Sequence, residues 1–121
     1  MCGIIGFTGN EPAKDIIIGG LERLEYRGYD SAGLAVFNGQ DILVRKVKGA
    51  LKALEEKIAK ETIEGSLGIG HTRWATHGEP SDINAHPHLN ESGTIAVVPN
   101  GIIENFAKLK AWLQSEGVVF K

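Results

Sequence analysis

The sequence predicts an α+β domain. Short apolar runs bounded by glycines alternate with three amphipathic stretches, and an Asn-Gly pair sits between two of the runs. Mixing hairpins with helices in this way favours an antiparallel or mixed sheet carrying helical layers. Cys2–Thr8 reads as the first strand. A helix is expected from Pro12 to Arg27, with Pro12 in the first turn, Ile17, Leu21 and Leu24 on one face, and Gly28 as the stop. Ala32–Phe37 and Asp41–Val47 are strands joined through Asn38-Gly39, a strong hairpin signal. Leu51, Leu54 and Ile58 place an apolar stripe on a second helix, Ala50–Glu61, and Ser66–His71 is the next strand. Trp74–Asn90 reads as a long loop, which in a compact domain is usually functional. Thr94–Val98 is a strand. A third helix, Ile102–Ser115, turns Phe106, Leu109 and Leu113 inward and ends at Gly117, and Val118–Phe120 begins another strand.

Bulk properties narrow the function classes. The chain is long enough for one domain or part of one, and 42% hydrophobic with 23% charged residues is ordinary for a globular protein. A net charge of −2 with no basic stripe argues against nucleic acid as a partner. No apolar run reaches the ~20 residues of a membrane span, and the single cysteine fits a reducing, cytoplasmic setting. The sixteen glycines are expected to gather at loops.

That one cysteine stands at position 2. Once Met1 is removed, Cys2 carries both a thiol and a free α-amine. An α-amine titrates near 7.7–8, so at neutral pH part of it is an unprotonated base beside a nucleophile. The bland alternative is a small buried residue at the start of a strand. Four segments decide between the two by concentrating glycine, charge and aromatics at strand ends: Cys2–Gly6, Leu24–Gly33 (LEYRGYDSAG), Gly70–Gly78 (GHTRWATHG) and Asn100–Asn105 (NGIIEN). Together they hold the parts of an amide-cleaving site. Cys2 is the nucleophile. The Asn100 side chain and the Gly101 backbone N–H are donors for an oxyanion. Arg73 offers a planar fork for a carboxylate.

These segments, with Asn84–His88 (NAHPH), resemble the glutaminase domain of the glucosamine-6-phosphate synthase family, class II glutamine amidotransferases of the N-terminal-nucleophile type. The resemblance spans nearly the whole chain. It implies the N-terminal part of a four-layer αββα sandwich, with the rest of the glutaminase domain and the sugar isomerase domains lying beyond residues 1–121. It also implies hydrolysis of L-glutamine through a Cys2 thioester, with the α-amine shuttling the proton, and no cofactor. Asn100 and Gly101 form the oxyanion hole in this picture. Arg73 binds the substrate α-carboxylate, and Trp74, Thr76 and His77 belong to a closing loop. His86 supports the site. Arg27 and Asp30 order its floor, though a structural ion pair explains those two equally well. Fructose 6-phosphate, the ammonia acceptor, would meet only the isomerase domain, in a homodimeric full-length enzyme.

Two departures accompany the resemblance. Pro99 stands before Asn100, where the family is expected to have histidine, and proline removes a backbone donor. The chain also stops short of the aspartate expected to hold the α-amino group of glutamine. The 121 residues alone are expected to hydrolyse glutamine poorly or not at all, and an incomplete sheet makes self-association a hazard. Other readings stay open. One is the glutaminase domain of another class II enzyme such as amidophosphoribosyltransferase, and asparagine synthetase shares the Cys-Gly start. Another is a metal-binding module built on His71, His77, His86 and His88, against which stands the lack of any His-Glu-x-x-His or paired-cysteine spacing.

Overall fold

Alternating glycine and aliphatic residues build a sheet whose two faces differ in kind. The computed structural model describes residues 3–24, 30–73 and 84–120. The chain runs β1 (Gly3–Thr8), α1 (Ala13–Leu24), β2 (Ser31–Phe37), β3 (Ile42–Lys48), α2 (Leu51–Ile58), β4 (Leu67–Arg73), β5 (His88–Leu89), β6 (Ala96–Val97) and α3 (Phe106–Ser115). Four strands form one sheet in the order β1-β4-β2-β3, antiparallel throughout, and β5 and β6 form a separate ribbon.

Because opposed residues in an antiparallel pair point the same way, the register sorts the side chains into two faces. Ile5, Phe7, Ala32, Leu34, Val36, Leu43 and Val47 meet Ile17 and Leu21 of α1 and Leu51, Leu54 and Ile58 of α2 in one core. Both helices therefore lie on the same side. Their apolar spacing matches the expected stripes, except that Leu24 is only half-buried.

The glycines depart from expectation. Gly3, Gly6, Gly33, Gly68 and Gly70 lie in strands and Gly19 and Gly20 in α1, not in loops. Their work is close approach. A Cβ on Gly70 would come within 2.4 Å of Ile17 Cγ2, and one on Gly68 within 2.6 Å of Ile17 Cδ1. Alpha-1 thus lies directly on the backbone of β4, and Ala13, Ile17 and Leu21 are fully buried.

The β2–β3 hairpin closes through Asn38, whose Oδ1 accepts from the backbone N–H of Gln40 and Asp41. Gly39 alone takes a positive φ, 98°, at the first central position, where a type II′ turn requires it.

Several expected bounds shift. Alpha-1 begins at Ala13, just after Pro12; α2 is Leu51–Ile58, and β4 extends to Arg73. A short strand, β5, interrupts the expected loop, β6 keeps only two residues, and Val118–Phe120 is not a strand. Alpha-3 does end as expected. Gly117 (φ 92°) donates to Gln114 and Val118 donates to Leu113, a Schellman cap. Its inward face is corrected: α3 buries no residue, and Phe106 is 63% exposed, because no described helix or strand packs extensively on it.

Of the four layers implied by the resemblance, the described residues contain one helical layer and one four-stranded sheet. The second face of that sheet carries the candidate site.

Candidate active site

The open face presents Arg73 and Ser31 in its end row and His71, Gly33, Ile4 and Lys46 in the next. Strand alternation alone puts His71 and Arg73 on the same side of β4. Asp30 sits at the end of this face. Its N–H donates to the Arg73 carbonyl, its carbonyl accepts from Gly49, and its carboxylate accepts from the Ser31 hydroxyl.

The segment Asn84–Pro87 lies across this face, held by two cations. The Arg73 guanidinium donates to the Asn84 carbonyl at 3.2 Å, and the Lys46 ammonium donates to the Pro87 carbonyl at 3.2 Å. Gly33 makes the fit possible, since a Cβ there would stand 1.9 Å from the His86 carbonyl oxygen. The His86–Pro87 peptide is cis. Ala85 is fully buried, and Arg73 is only 8% exposed.

Three imidazoles stack in this corner. His71 and His86 meet edge to face with centroids 4.2 Å apart, and His86 and His88 at 4.4 Å. Burial, foremost, pushes His71 down to about 4; Arg73 and His88 push the same way, while a hydrogen bond to the Pro99 carbonyl and the charge of Asp30 oppose them. Burial likewise pushes His86 down to about 3, helped by His71, His88, Arg73 and Lys46. His88 is lowered by burial and then by Lys46 and Arg73. All three are neutral at pH 7. Among the described residues no cluster of three or more His, Cys, Asp or Glu side chains could hold a metal ion.

Arg73, Asp30 and His86 of the expected site are therefore brought together. Asn100 and Gly101 are exposed in an irregular segment after β6. Cys2, Arg27, Trp74, Thr76 and His77 lie outside the described residues; β1 is paired as far as Gly3↔Thr72, one residue from Cys2 and from Arg73 in sequence. His71, Lys46 and Gly33 were not read as parts of an amide-cleaving site, although the spacing of His71 two residues before Arg73 was a signal for it. A cleft of about 560 Å³ lies at the opposite end of the sheet, lined by residues including Asn10, Asp15, Glu61 and Glu64, remote from this corner.

No protein-family model matches the chain. Its sequence is 61% identical over 120 residues to a glutamine–fructose-6-phosphate aminotransferase (isomerizing) of Clostridium tetani, covering 99% of this chain and 20% of that protein. Proteins of the same name from Caldanaerobacter subterraneus and Thermococcus kodakarensis are 59% and 56% identical over 99% and 100% of the chain, again with 20% of each covered. The fold matches a Bacillus subtilis glutamine PRPP amidotransferase, complexed with ADP and GMP, at a TM-score of 0.79 and 28% identity; the match covers all of this chain and 26% of that one. A structure titled as the allosteric regulatory enzyme of purine biosynthesis matches at 0.83 and 29%, with the same coverage.

The chain is thus similar, along nearly its whole length, to glutamine–fructose-6-phosphate aminotransferases in sequence and to a glutamine PRPP amidotransferase in fold. Its identity to the former, 61%, far exceeds its identity to the latter, 28%. The chain spans about a fifth of the length of those curated relatives. No helix among its described residues is long and apolar enough to cross a membrane.

Proposed function

We propose that this chain is the N-terminal portion of a glutaminase domain, releasing ammonia from L-glutamine. The observation that carries the reading is identity of 61% along the whole chain to a glutamine–fructose-6-phosphate aminotransferase. The nearly buried, hydrogen-bonded Arg73 in a polar corner supports it. Cys2 attacks the side-chain amide carbon, and the α-amine freed by loss of Met1 takes the thiol proton. Asn100 and Gly101 stabilise the tetrahedral oxyanion. Collapse expels ammonia, which leaves with the returned proton, and water then hydrolyses the Cys2 thioester to glutamate. Arg73 holds the substrate carboxylate, while Trp74, Thr76 and His77 close over it. Arg27, Asp30 and His86 support the site.

In the whole enzyme the ammonia converts fructose 6-phosphate to glucosamine 6-phosphate. That step and homodimerisation belong to the part of the relatives that this chain does not match.

Labelling with a γ-glutamyl electrophile tests the reading. Protein lacking Met1 is expected to be labelled at Cys2, and protein retaining Met1 is not, because its Cys2 nitrogen is an amide with no usable lone pair. Equal labelling of both forms would refute the α-amine mechanism, and absence of label from both would reject the glutaminase reading.

A further inference from the structure

Two asparagines in the chain, Asn38 and Asn100, stand directly before a glycine. Glycine has no side chain to shield its backbone nitrogen, so that nitrogen can approach the side-chain carbonyl carbon of the preceding asparagine. The two pairs are held very differently. Asn38 closes the β2–β3 hairpin. Its Oδ1 accepts from the Gln40 N–H at 2.9 Å and the Asp41 N–H at 2.7 Å, and its own N–H donates to the Asp41 carbonyl at 3.1 Å. The ladder beneath it is paired as far as Phe37↔Ile42. Turning the Asn38 amide toward Gly39 breaks two hydrogen bonds to one oxygen.

Asn100 has no such restraint. It and Gly101 are exposed, in a segment between β6 and α3 that belongs to no helix or ladder. The Asn100 side chain makes no hydrogen bond among the described residues. Around Gly101, chain neighbours aside, no heavy atom lies within 4 Å of the place a Cβ would take, and its φ is outside the left-handed region. Nothing described keeps the Asn100 amide from rotating onto the Gly101 nitrogen.

We propose that Asn100–Gly101 is a site of spontaneous deamidation, and that this modification retires the glutaminase by turning an oxyanion donor into an acid. The Gly101 nitrogen loses its proton to water or hydroxide and attacks Asn100 Cγ. The Cγ–N bond of the side-chain amide breaks, and ammonia leaves with a proton taken from water. A five-membered succinimide remains. Water opens it at one carbonyl or the other, giving aspartate or isoaspartate. No oxidant, reductant or enzyme is required. Either product replaces the NH₂ donor with a carboxylate, which repels a developing oxyanion. Isoaspartate also lengthens the backbone by one carbon and so displaces the Gly101 N–H. Loss of one oxyanion donor costs on the order of 100- to 1,000-fold in rate. The modification itself needs no assumption about activity; its consequence rests on the glutaminase reading.

The test ages the 121-residue protein lacking Met1 in warm, mildly alkaline buffer and follows both sites by peptide mass spectrometry. Methyl transfer by an isoaspartyl methyltransferase reports the isoaspartate. Asn100 is expected to convert at least about tenfold faster than Asn38, because the latter must first break two hydrogen bonds. In guanidinium chloride the two rates converge to within about threefold, since the local sequence alone then sets them. Gly101→Ala, for which the structure has room, slows conversion at Asn100 at least about tenfold and leaves Asn38 unchanged. Labelling of Cys2 by the γ-glutamyl electrophile falls in step with conversion of Asn100. Equal rates at the two sites in the folded protein overturn the proposal, and so does conversion at Asn100 that Gly101→Ala does not slow. Undiminished labelling of fully converted protein overturns the link to activity. Should Asn100 convert as expected while Cys2 of fresh protein never labels, the modification site stands and the glutaminase reading falls.

Discussion

Arg73 has two tasks: holding the Asn84 carbonyl and, in the proposed reaction, holding a substrate carboxylate. A lysine in its place keeps the charge and loses the planar fork. Arg73→Lys is therefore expected to raise the half-saturation concentration of the γ-glutamyl electrophile at least about tenfold, ~1.4 kcal/mol, with little change in maximal rate. A loss confined to maximal rate would place Arg73 elsewhere in the reaction. The histidines give a pH prediction. Folded His71 titrates at about 4 and folded His86 at about 3, both held down chiefly by burial, whereas unfolded histidine titrates near 6.5. Between those values the unfolded chain binds protons that the folded chain does not, so stability rises with pH. The contribution is complete above about pH 6.5 and is lost as pH falls toward 4. The groups facing the two rings are His88, Arg73, Lys46 and Asp30, and the cations among them reinforce the effect. The thermal midpoint is expected to fall by several degrees from pH 7 to pH 4.5, and less so in His71→Gln. A flat midpoint across that range would contradict buried neutral imidazoles.

At the scale of elements, closeness is the governing feature, and two glycines separate its kinds. A Cβ on Gly33 would strike the His86 backbone carbonyl at 1.9 Å, and nearby atoms are Lys46 Cβ and the His86 carbonyl carbon. A Cβ on Gly20 would strike Ile5 at the same distance, but at its terminal Cδ1, which a rotamer change moves away. Gly33→Ala is therefore expected to destabilise by about 1–3 kcal/mol and to release residues 84–87, whereas Gly20→Ala in mid-helix stays within about 1 kcal/mol of wild type. Denaturant titration measures both, and equal costs would show that the His86 segment is not seated as described. The two core helices were legible in the sequence because Ile17 with Leu21, and Leu51, Leu54 with Ile58, repeat at helical spacing. Short strand-like runs between turn signals also marked β2 and β4. The seat of α1 was not legible: nothing in the string distinguishes a turn glycine from Gly70, which makes room for Ile17. Alpha-3 misled for a related reason. Phe106, Leu109 and Leu113 have the spacing of a buried stripe, but periodicity reports that a face is apolar, not what covers it. In the site, motif wording singled out Arg73 and His86 as expectations, while the contact of His71 with His86 joins residues 15 positions apart and leaves no local trace.

Among the described residues, helices cover one face of the four-stranded sheet and the other face is covered only in part, by residues 84–87. Beta-1 and β3 are both edges of the four-stranded sheet. Ile4, Phe37 and Leu67 show on its open face, and Ile102, Ile103, Phe106 and Trp112 are exposed on or just before α3. Apolar surface and unpaired edges of this kind favour association at micromolar concentrations and above, and a net charge of −2 opposes it little. Sedimentation velocity on the 121-residue chain is expected to show concentration-dependent oligomers that shrink when Phe106 and Trp112 are both changed to serine. A monomer at every concentration would contradict this.

The clamp on residues 84–87 has a thermodynamic consequence. Arg73 spends one guanidinium N–H on Asn84, and that bond fixes the plane of the fork before any ligand arrives. A carboxylate meeting a fork already held in place forfeits less rotamer entropy on binding. Linkage makes the benefit mutual: a ligand that prefers the clamped arrangement makes unclamping costlier by the same free energy. Occupancy of Arg73 and docking of a segment eleven residues further along the chain are then two readings of a single equilibrium.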